Sequence, residues 1–212
     1  MNGMFNYCSL LTNLDVSGWN TASVTNMQSL FSGCSSLTAL NVSNWDTSSV
    51  TTLNNMFSNC NSLTYLDVSG WDTSSVMNMG SLFNNCYSLK SLDVSGWDTS
   101  SVTNVNSLFN NCYSLTSIDV SGFDFSKITT SGNAGSIFAY CYCLSGSLTL
   151  PSSMGVIGSS CFIGCLSLTE WHFLSTTPPT LSSSIFSNMT DYGGKKIYVP
   201  VASLSAYQTA TN

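Results

Sequence analysis

Charge is scarce in this chain. Only 7% of its 212 residues are charged, against roughly 25% in an ordinary globular domain, so Ser, Thr, Asn and Gly must supply most of the polar surface. The four basic residues are all lysines and face ten acids, for a formal net charge of −6. That balance excludes a nucleic-acid partner, because displacing phosphate counterions needs a basic footprint. It equally excludes a basic patch for an anionic membrane surface. No apolar run approaches the roughly 20 residues of a membrane span, so no membrane insertion is expected within this chain, and the first residues lack the basic and apolar regions of a signal peptide. Met1 to Met4 lead straight into patterned sequence, and the chain reads as a mature or excised fragment with any targeting segment outside it. Histidine occurs once, at His172, and no G-x-S-x-G elbow, Walker loop or H-E-x-x-H is present. Hydrolase, nucleotide-binding and zinc-protease chemistry therefore lack their parts, and neither a cofactor nor a metal is implied.

Repetition is abundant. With 43% hydrophobic residues the chain can bury a sizeable core, and it does so by saying one thing several times. Phe5, Phe31, Phe57, Phe83 and Phe109 follow one another at a constant interval, with Cys8, Cys34, Cys60, Cys86 and Cys112 in step. Within a copy, Leu63, Leu66 and Val68 of "LTYLDVSGW" fit a short strand, with Leu66 and Val68 inward and Tyr65, Asp67 and Ser69 outward, ended by Gly70. Val76, Met79, Leu82, Phe83 and Cys86 then fall on one face of a helical or 3-10 return. A unit of this size cannot bury its apolar side alone, so stacked copies share a core. After Ile128 the stretch "TTSGNAGS" intervenes, Phe138 follows Phe109 at a longer interval, and Phe162 and Phe186 then come at a shorter one. Cys141 and Cys165 keep the Phe-x-x-Cys step, Met189 takes the cysteine's place in the last copy, and "LTEWHFL" reads as a strand with Trp171 and Phe173 inward.

These residues carry a family resemblance. "LFNNCYSLKSLDVSGWDTSSVTNV" resembles the 26-residue repeat of bacterial surface proteins, and "IGSSCFIGCLSLTEWHF" is similar to the BspA-like leucine-rich repeat, with Cys161 where that family usually has Ala. "KKIYVPVASLSAYQTATN" resembles the motif that closes BspA-like arrays in gut bacteria. The resemblance implies a secreted or cell-surface bacterial protein, with adhesion to a host or microbial surface protein or glycan. The expected fold is an α/β leucine-rich-repeat right-handed solenoid of about eight coils, with a parallel sheet on the concave side and short helical or 3-10 turns and loops on the convex side. Residues 1–131 hold five 26-residue repeats, and residues 132–212 hold the shorter BspA-like repeats and a closing segment. "NGMFNYC" offers no polar cap, so the array is expected to extend upstream.

Each chemical candidate has a plain structural counterpart. The first acid of each copy stacks into a column of Asp15, Asn41, Asp67, Asp93 and Asp119, continued by Thr149 and His172, on rungs about 4.8 Å apart where like charges oppose ionisation. It reads either as a cation or partner site or as a solvated face that keeps the sheet soluble, and it lacks the glycines and alternating oxygens of a calcium loop. The second acid, Asp46, Asp72, Asp98 and Asp124 with Asn20 before them, sits in "WDTS" and reads as a turn cap. Trp19, Trp45, Trp71, Trp97 and Phe123 fit core packing better than sugar stacking, and Tyr65, Tyr87 and Tyr113 are better placed for exposed contacts. The in-step cysteines read as buried thiols bonded to carbonyls. Cys141, Cys143, Cys161 and Cys165 form C-x-C and C-x₃-C pairs, unlike the C-x₂-C of zinc sites, while a disulfide involving Cys143 and Cys161 stays open. A paired-carboxylate enzyme using Asp93 and Asp119 is a distant alternative. The expected binding surface is Tyr65, Asp67, Ser91, Asp93, Ser117, Asp119, Glu170 and His172, with a structural spacer as the other reading.

Overall fold

The computed structural model describes residues 1–188 and 193–209. The backbone hydrogen bonds show at once how copies stack. Gly3, Phe5 and Tyr7 donate their N–H groups to the carbonyls of Gln28, Leu30 and Ser32, and Met79, Ser81, Phe83 and Asn85 donate to Asn104, Asn106, Leu108 and Asn110, always one position short of the equivalent residue in the next coil. Across "TTSGNAGS" the offset lengthens, as in Phe109 to Ile137, and afterwards it shortens, as in Phe138 to Cys161. The offsets follow the spacing of the phenylalanines. Parallel single-residue bridges link Asn26, Thr52, Asn78 and Asn104 along the same side. A 3-10 turn, Ser131–Asn133, fills the insertion.

The helical return expected in each copy is instead a run of turns. Leu82, Asn84 and Cys86 donate to the carbonyls of Met79, Ser81 and Phe83, a single turn back, but Ser81 and Asn85 lie at φ 55° and 61°. A pair of such left-handed residues recurs coil after coil at the same spacing, from Gly3 and Tyr7 to Ser184 and Asn188. Each reversal turns successive N–H groups out of the helical direction and toward the next coil. The positions are held mostly by Ser, Asn and Gly, and Asn and Gly tolerate that region best. At Gly33 (φ 75°) a side chain has no room in any case, because a Cβ would meet the Tyr7 ring at 2.8 Å. The apolar pattern still holds: Val76, Met79, Leu82, Phe83 and Cys86 are all buried.

The strand side also departs from expectation. Between Ala39 and Tyr65 there is a single parallel bridge, and full strands form only in the later coils. There β1 (Gly146–Leu150), β3 (Leu168–Phe173) and β5 (Lys196–Tyr198) make a parallel sheet in the order β1-β3-β5, and β2 (Val156–Ile157) pairs with β4 (Thr180–Leu181). The cause lies in the outward residues. In the early coils the Asp at the column position draws the N–H of the serine two residues on, as Asp67 does with Ser69 at 3.2 Å, and such local bonds compete with a ladder. Thr149, His172 and Tyr198 make no such bond in the later coils, and they pair directly in register.

One core runs through the stack. Its axis is the phenylalanine column, whose rings from Phe5 to Phe186 lie 5.5 to 5.9 Å apart. Each fully buried ring contributes roughly 1.5–3 kcal/mol of transfer free energy. Trp45, Trp71 and Trp97 pack beside it, and their indole N–H groups donate to Val16, Val42 and Val68 carbonyls of the preceding coil. Beyond Tyr198 a 3-10 turn, Val201–Ser203, leads into a short helix α1 (Leu204–Thr209). Tyr207 ties α1 back through its hydroxyl to the Ser175 carbonyl at 3.1 Å. Met189 and residues 210–212 of the closing segment lie outside the described residues. Among the described residues, no helix is long and apolar enough to cross a membrane.

Candidate functional site

The two acids of each copy turn out to be the same local device. In the first column Oδ1 of Asp15, Asn41, Asp67, Asp93 and Asp119 accepts the hydroxyl of Ser17, Ser43, Ser69, Ser95 and Ser121 at 2.7–2.8 Å, and the N–H of the same serine as well. In the second, Asp46 and Asp72 bind Ser48 and Ser74 in the same way, and Asp98 and Asp124 accept the N–H of Ser100 and Ser126. The turn-cap reading of the second acid therefore applies to the first as well.

The expected resistance of stacked carboxylates to ionisation is outweighed by local hydrogen bonds. At Asp15 and Asp93 the serine hydroxyl and then the serine N–H hold the carboxyl below the usual carboxylate range. The same holds at Asp119, where repulsion from Asp93 is the smallest cause. Direct donors on the same turn outweigh a neighbouring charge one coil away in water.

This anchoring gives the strand side a fixed polar pattern. Tyr65 stands out of it, 60% exposed. On one side of Tyr65 lies a cleft of about 480 Å³ lined by Asn13, Asp15, Ala39, Asn41 and Asp67. On the other a smaller one of about 190 Å³ is lined by Asp67, Ser91 and Asp93. The structure thus brings Tyr65, Asp67, Ser91 and Asp93 together, with Ser117 and Asp119 exposed one coil further on. Asn13, Asp15, Ala39 and Asn41 join the surface without having been singled out for it.

Glu170 and His172 form a second group on β3. His172 Nε2 lies 3.3 Å from Glu170 Oε2, the Tyr198 hydroxyl donates to Glu170 Oε1 at 3.3 Å, and the rings of His172 and Tyr198 stack at 4.4 Å. Lys196 Nζ is 4.0 Å from Glu170 Oε1. Lys196 and Tyr198 come from β5, opposite Glu170 and His172 in register. Sequence reasoning missed both. The local spacing did not point to them, since the phenylalanines of these coils recur at a shorter interval than the step from His172 to Tyr198.

All nine cysteines are free, so the Cys143–Cys161 disulfide does not form. Cys143 is exposed and Cys161 buried. Cys34, Cys60, Cys86, Cys112, Cys141 and Cys165 donate from Sγ to the carbonyl of the preceding coil's phenylalanine at 3.0–3.2 Å. Burial pushes the Cys86 thiol up to about 12. Tyr87 and Tyr113 are half-buried rather than free for contact, stacked on each other at 4.6 Å. Among the described residues, no three His, Cys, Asp or Glu side chains are grouped as a metal site.

Coils of Leu-x-x-Leu-x-Val sequence stacked in parallel over a shared apolar column define a leucine-rich-repeat protein. A family model described as "BspA type Leucine rich repeat region (6 copies)" matches residues 134–205, where the parallel sheet lies. The chain itself belongs to the family described as "Mycoplasma protein of unknown function, DUF285", which matches residues 1–66 and 51–149, more than half of its length. No curated protein matches the sequence. Among solved structures, a leucine-rich repeat protein from Bacteroides ovatus ATCC 8483 is similar, at 19% identity and a TM-score of 0.45 over 94% of this chain. The chain spans 58% of the length of that protein.

Proposed function

We propose that the chain is a non-enzymatic binding module of a bacterial cell-surface or secreted protein. It is a right-handed solenoid whose strand side recognises a host or microbial surface protein or glycan. The observation that carries this reading is Tyr65, an exposed ring set between two clefts whose carboxylates are held in place by their own serines. Acceptors fixed before binding lose little entropy when a hydroxyl or N–H donor arrives, and exposed tyrosines are common anchors of recognition surfaces. Tyr65, Asp67, Ser91, Asp93, Ser117 and Asp119 form the main surface, and Glu170 and His172 a second contact further along.

An unbiased array of glycans and matrix proteins tests this. Any reproducible hit is then measured against Tyr65→Ala and against Asp67, Asp93 and Asp119 changed together to Asn. The tyrosine change is expected to cost about 1–4 kcal/mol of affinity, and the triple change to weaken binding while the fold survives. Unchanged affinity in both variants removes the assignment. A structural spacer is the second reading, supported by the unbroken hydrogen-bonded stack from Gly3 to Ile185, and it predicts an empty array.

A further inference from the structure

A parallel sheet that grows by one strand per coil ends here at β5. It is the last strand in the order β1-β3-β5, and among the described residues no strand lies on its outer edge. Such an edge presents a row of unpaired N–H and C=O groups, which monomeric proteins blunt with proline, an inward-pointing charge or a covering element. Among the described residues none of these protects Lys196–Tyr198. Pro200 falls beyond the strand, and the inward residue is Ile197, in register with Trp171. The helix α1 lies elsewhere, with Tyr207 against Phe173 and its hydroxyl on the Ser175 carbonyl. We infer that the outer edge of β5 is an interface for a second copy of this chain, β5 pairing antiparallel with β5 about a two-fold axis at Ile197.

The apolar surface at this edge is that of a core left uncovered. Ile197 continues the inward row of Trp171, yet it is 55% exposed where Trp171 is 2% exposed. Beside it a cavity of about 540 Å³ opens among Leu181, Phe186, Ile197, Val199 and Leu204, and Leu181 and Leu204 are themselves exposed. A two-fold axis perpendicular to the sheet keeps the inward faces of both copies on the same side. The two apolar patches then meet, and removing them from water favours association.

The residues of the strand select both a second copy and a register. Antiparallel pairing centred on Ile197 sets Ile197 against Ile197 and sets each Lys196 opposite Tyr198 of the other copy. Residues directly opposite lie about 4.5–5.5 Å apart, where a lysine beside a tyrosine ring is favourable and two lysines repel. An axis at Lys196 brings the two ammonium groups together, and an axis at Tyr198 draws in Pro200, which has no N–H to donate. Lys196 is held in its own chain only by a long contact to Glu170, at 4.0 Å. Lys195 adds no repulsion at the edge, because it donates to the carbonyls of Leu166 and Leu168. Pairing of this kind uses the same surface on both copies and closes at two. Three strand residues and a flanking patch make a small interface, so the dimer is a weak and concentration-dependent one.

Sedimentation velocity of the chain over a concentration series tests this, under reducing conditions so that the exposed Cys8 and Cys143 form no disulfide between copies. The expected result is a reversible monomer–dimer equilibrium with no larger species. Ile197→Lys is expected to weaken dimerisation by at least about tenfold, and Leu10→Lys, on the exposed surface of the first coil, to leave it unchanged. Circular dichroism checks that each variant is folded. At position 198 the sign of the charge decides the outcome: Tyr198→Lys opposes Lys196 and weakens the dimer, while Tyr198→Glu pairs with Lys196 and preserves it. If Ile197→Lys does not fold, the two Tyr198 variants carry the test. A chain that stays monomeric overturns the inference and leaves the edge to a strand of another polypeptide. Open-ended oligomers, a dimer indifferent to a folded Ile197→Lys variant, or equal effects of the two Tyr198 variants overturn it as well. The array experiment reads the surface around Tyr65 separately, so failure of either reading leaves the other standing.

Discussion

The left-handed residues that replace the expected helix make a quantitative prediction at Asn85. Its φ is 61°. Its Nδ2 donates to Asn59 Oδ1 at 2.7 Å, and its own Oδ1 accepts from Asn111 Nδ2 at 2.7 Å, so one side chain ties three coils together. Asn85→Gly removes both bonds, at about 1 kcal/mol each, and frees the unfolded chain at a further cost of about 0.5 kcal/mol. The total is about 2.5 kcal/mol. Asn85→Ala removes the same bonds and must hold an alanine in the left-handed region, which costs about 1–2 kcal/mol, for a total of about 3.5 kcal/mol. Alanine is therefore the worse substitution by about 1 kcal/mol, the reverse of the order in a helix interior, where glycine costs about 1 kcal/mol more than alanine. Urea unfolding followed by tryptophan fluorescence and circular dichroism separates the two outcomes, provided the slope is the same in all three proteins. If Asn85→Ala proves as stable as Asn85→Gly, or either lies within about 0.5 kcal/mol of the parent, the turn architecture does not carry the energy assigned to it.

Two further predictions concern groups whose ionisation the fold alters. A thiol reagent at about pH 8 should modify Cys8 and Cys143 alone in the native chain and all nine cysteines after unfolding, because burial raises the others, Cys34 to about 11 and Cys165 to about 12; a native count above two contradicts this. Asp72, Asp98 and Asp124 are depressed by serine donors, so their stabilisation is complete above the unfolded carboxylate value of about 3.9 and is lost as pH falls through the lower folded value. Melting temperature should accordingly hold from neutral pH to about 5 and drop below about 4, with a shallower acid limb in a Ser74→Ala, Ser100→Ala protein; an identical limb rejects the serine bonds as its source.

Much of the core was legible. Phenylalanine, cysteine and tryptophan columns read off at fixed intervals are the columns that the structure buries, down to the Sγ bonds onto carbonyls, except in the first coil, where Cys8, expected to be a buried thiol, is exposed and Phe5 and Trp19 are only partly buried because no described coil covers them. Of the candidate surface, Tyr65, Asp67, Ser91 and Asp93 come together as their spacing implies. Other features were not legible. The period of Val76, Met79, Leu82, Phe83 and Cys86 fits a helix and fits the observed turns equally, because both bring those residues to one side. The difference between Asp119 and Asp124 that their contexts suggested is absent, since each binds a serine just ahead of it, Ser121 or Ser126. The Glu170 cluster was half seen, because the chain supplies Lys196 and Tyr198 only after a further circuit through turns and the short β4.

The sequence by itself determined which side chains face inward, for that depends only on apolar residues recurring at one interval. It also determined the carboxylate–serine bonds, which are confined to a single turn. Only the tertiary structure decided the backbone path between them. The N–H of Phe83 has two candidate acceptors, one on the preceding turn and one in the next coil at Leu108. The second exists only once that coil is in place. Where the left-handed serines and asparagines turn the backbone toward that neighbour, the inter-coil bond wins over the helix. Where the outward residue is Thr149, His172 or Tyr198 rather than a serine-bound aspartate, the same contest yields a strand, and with it the cluster around Glu170.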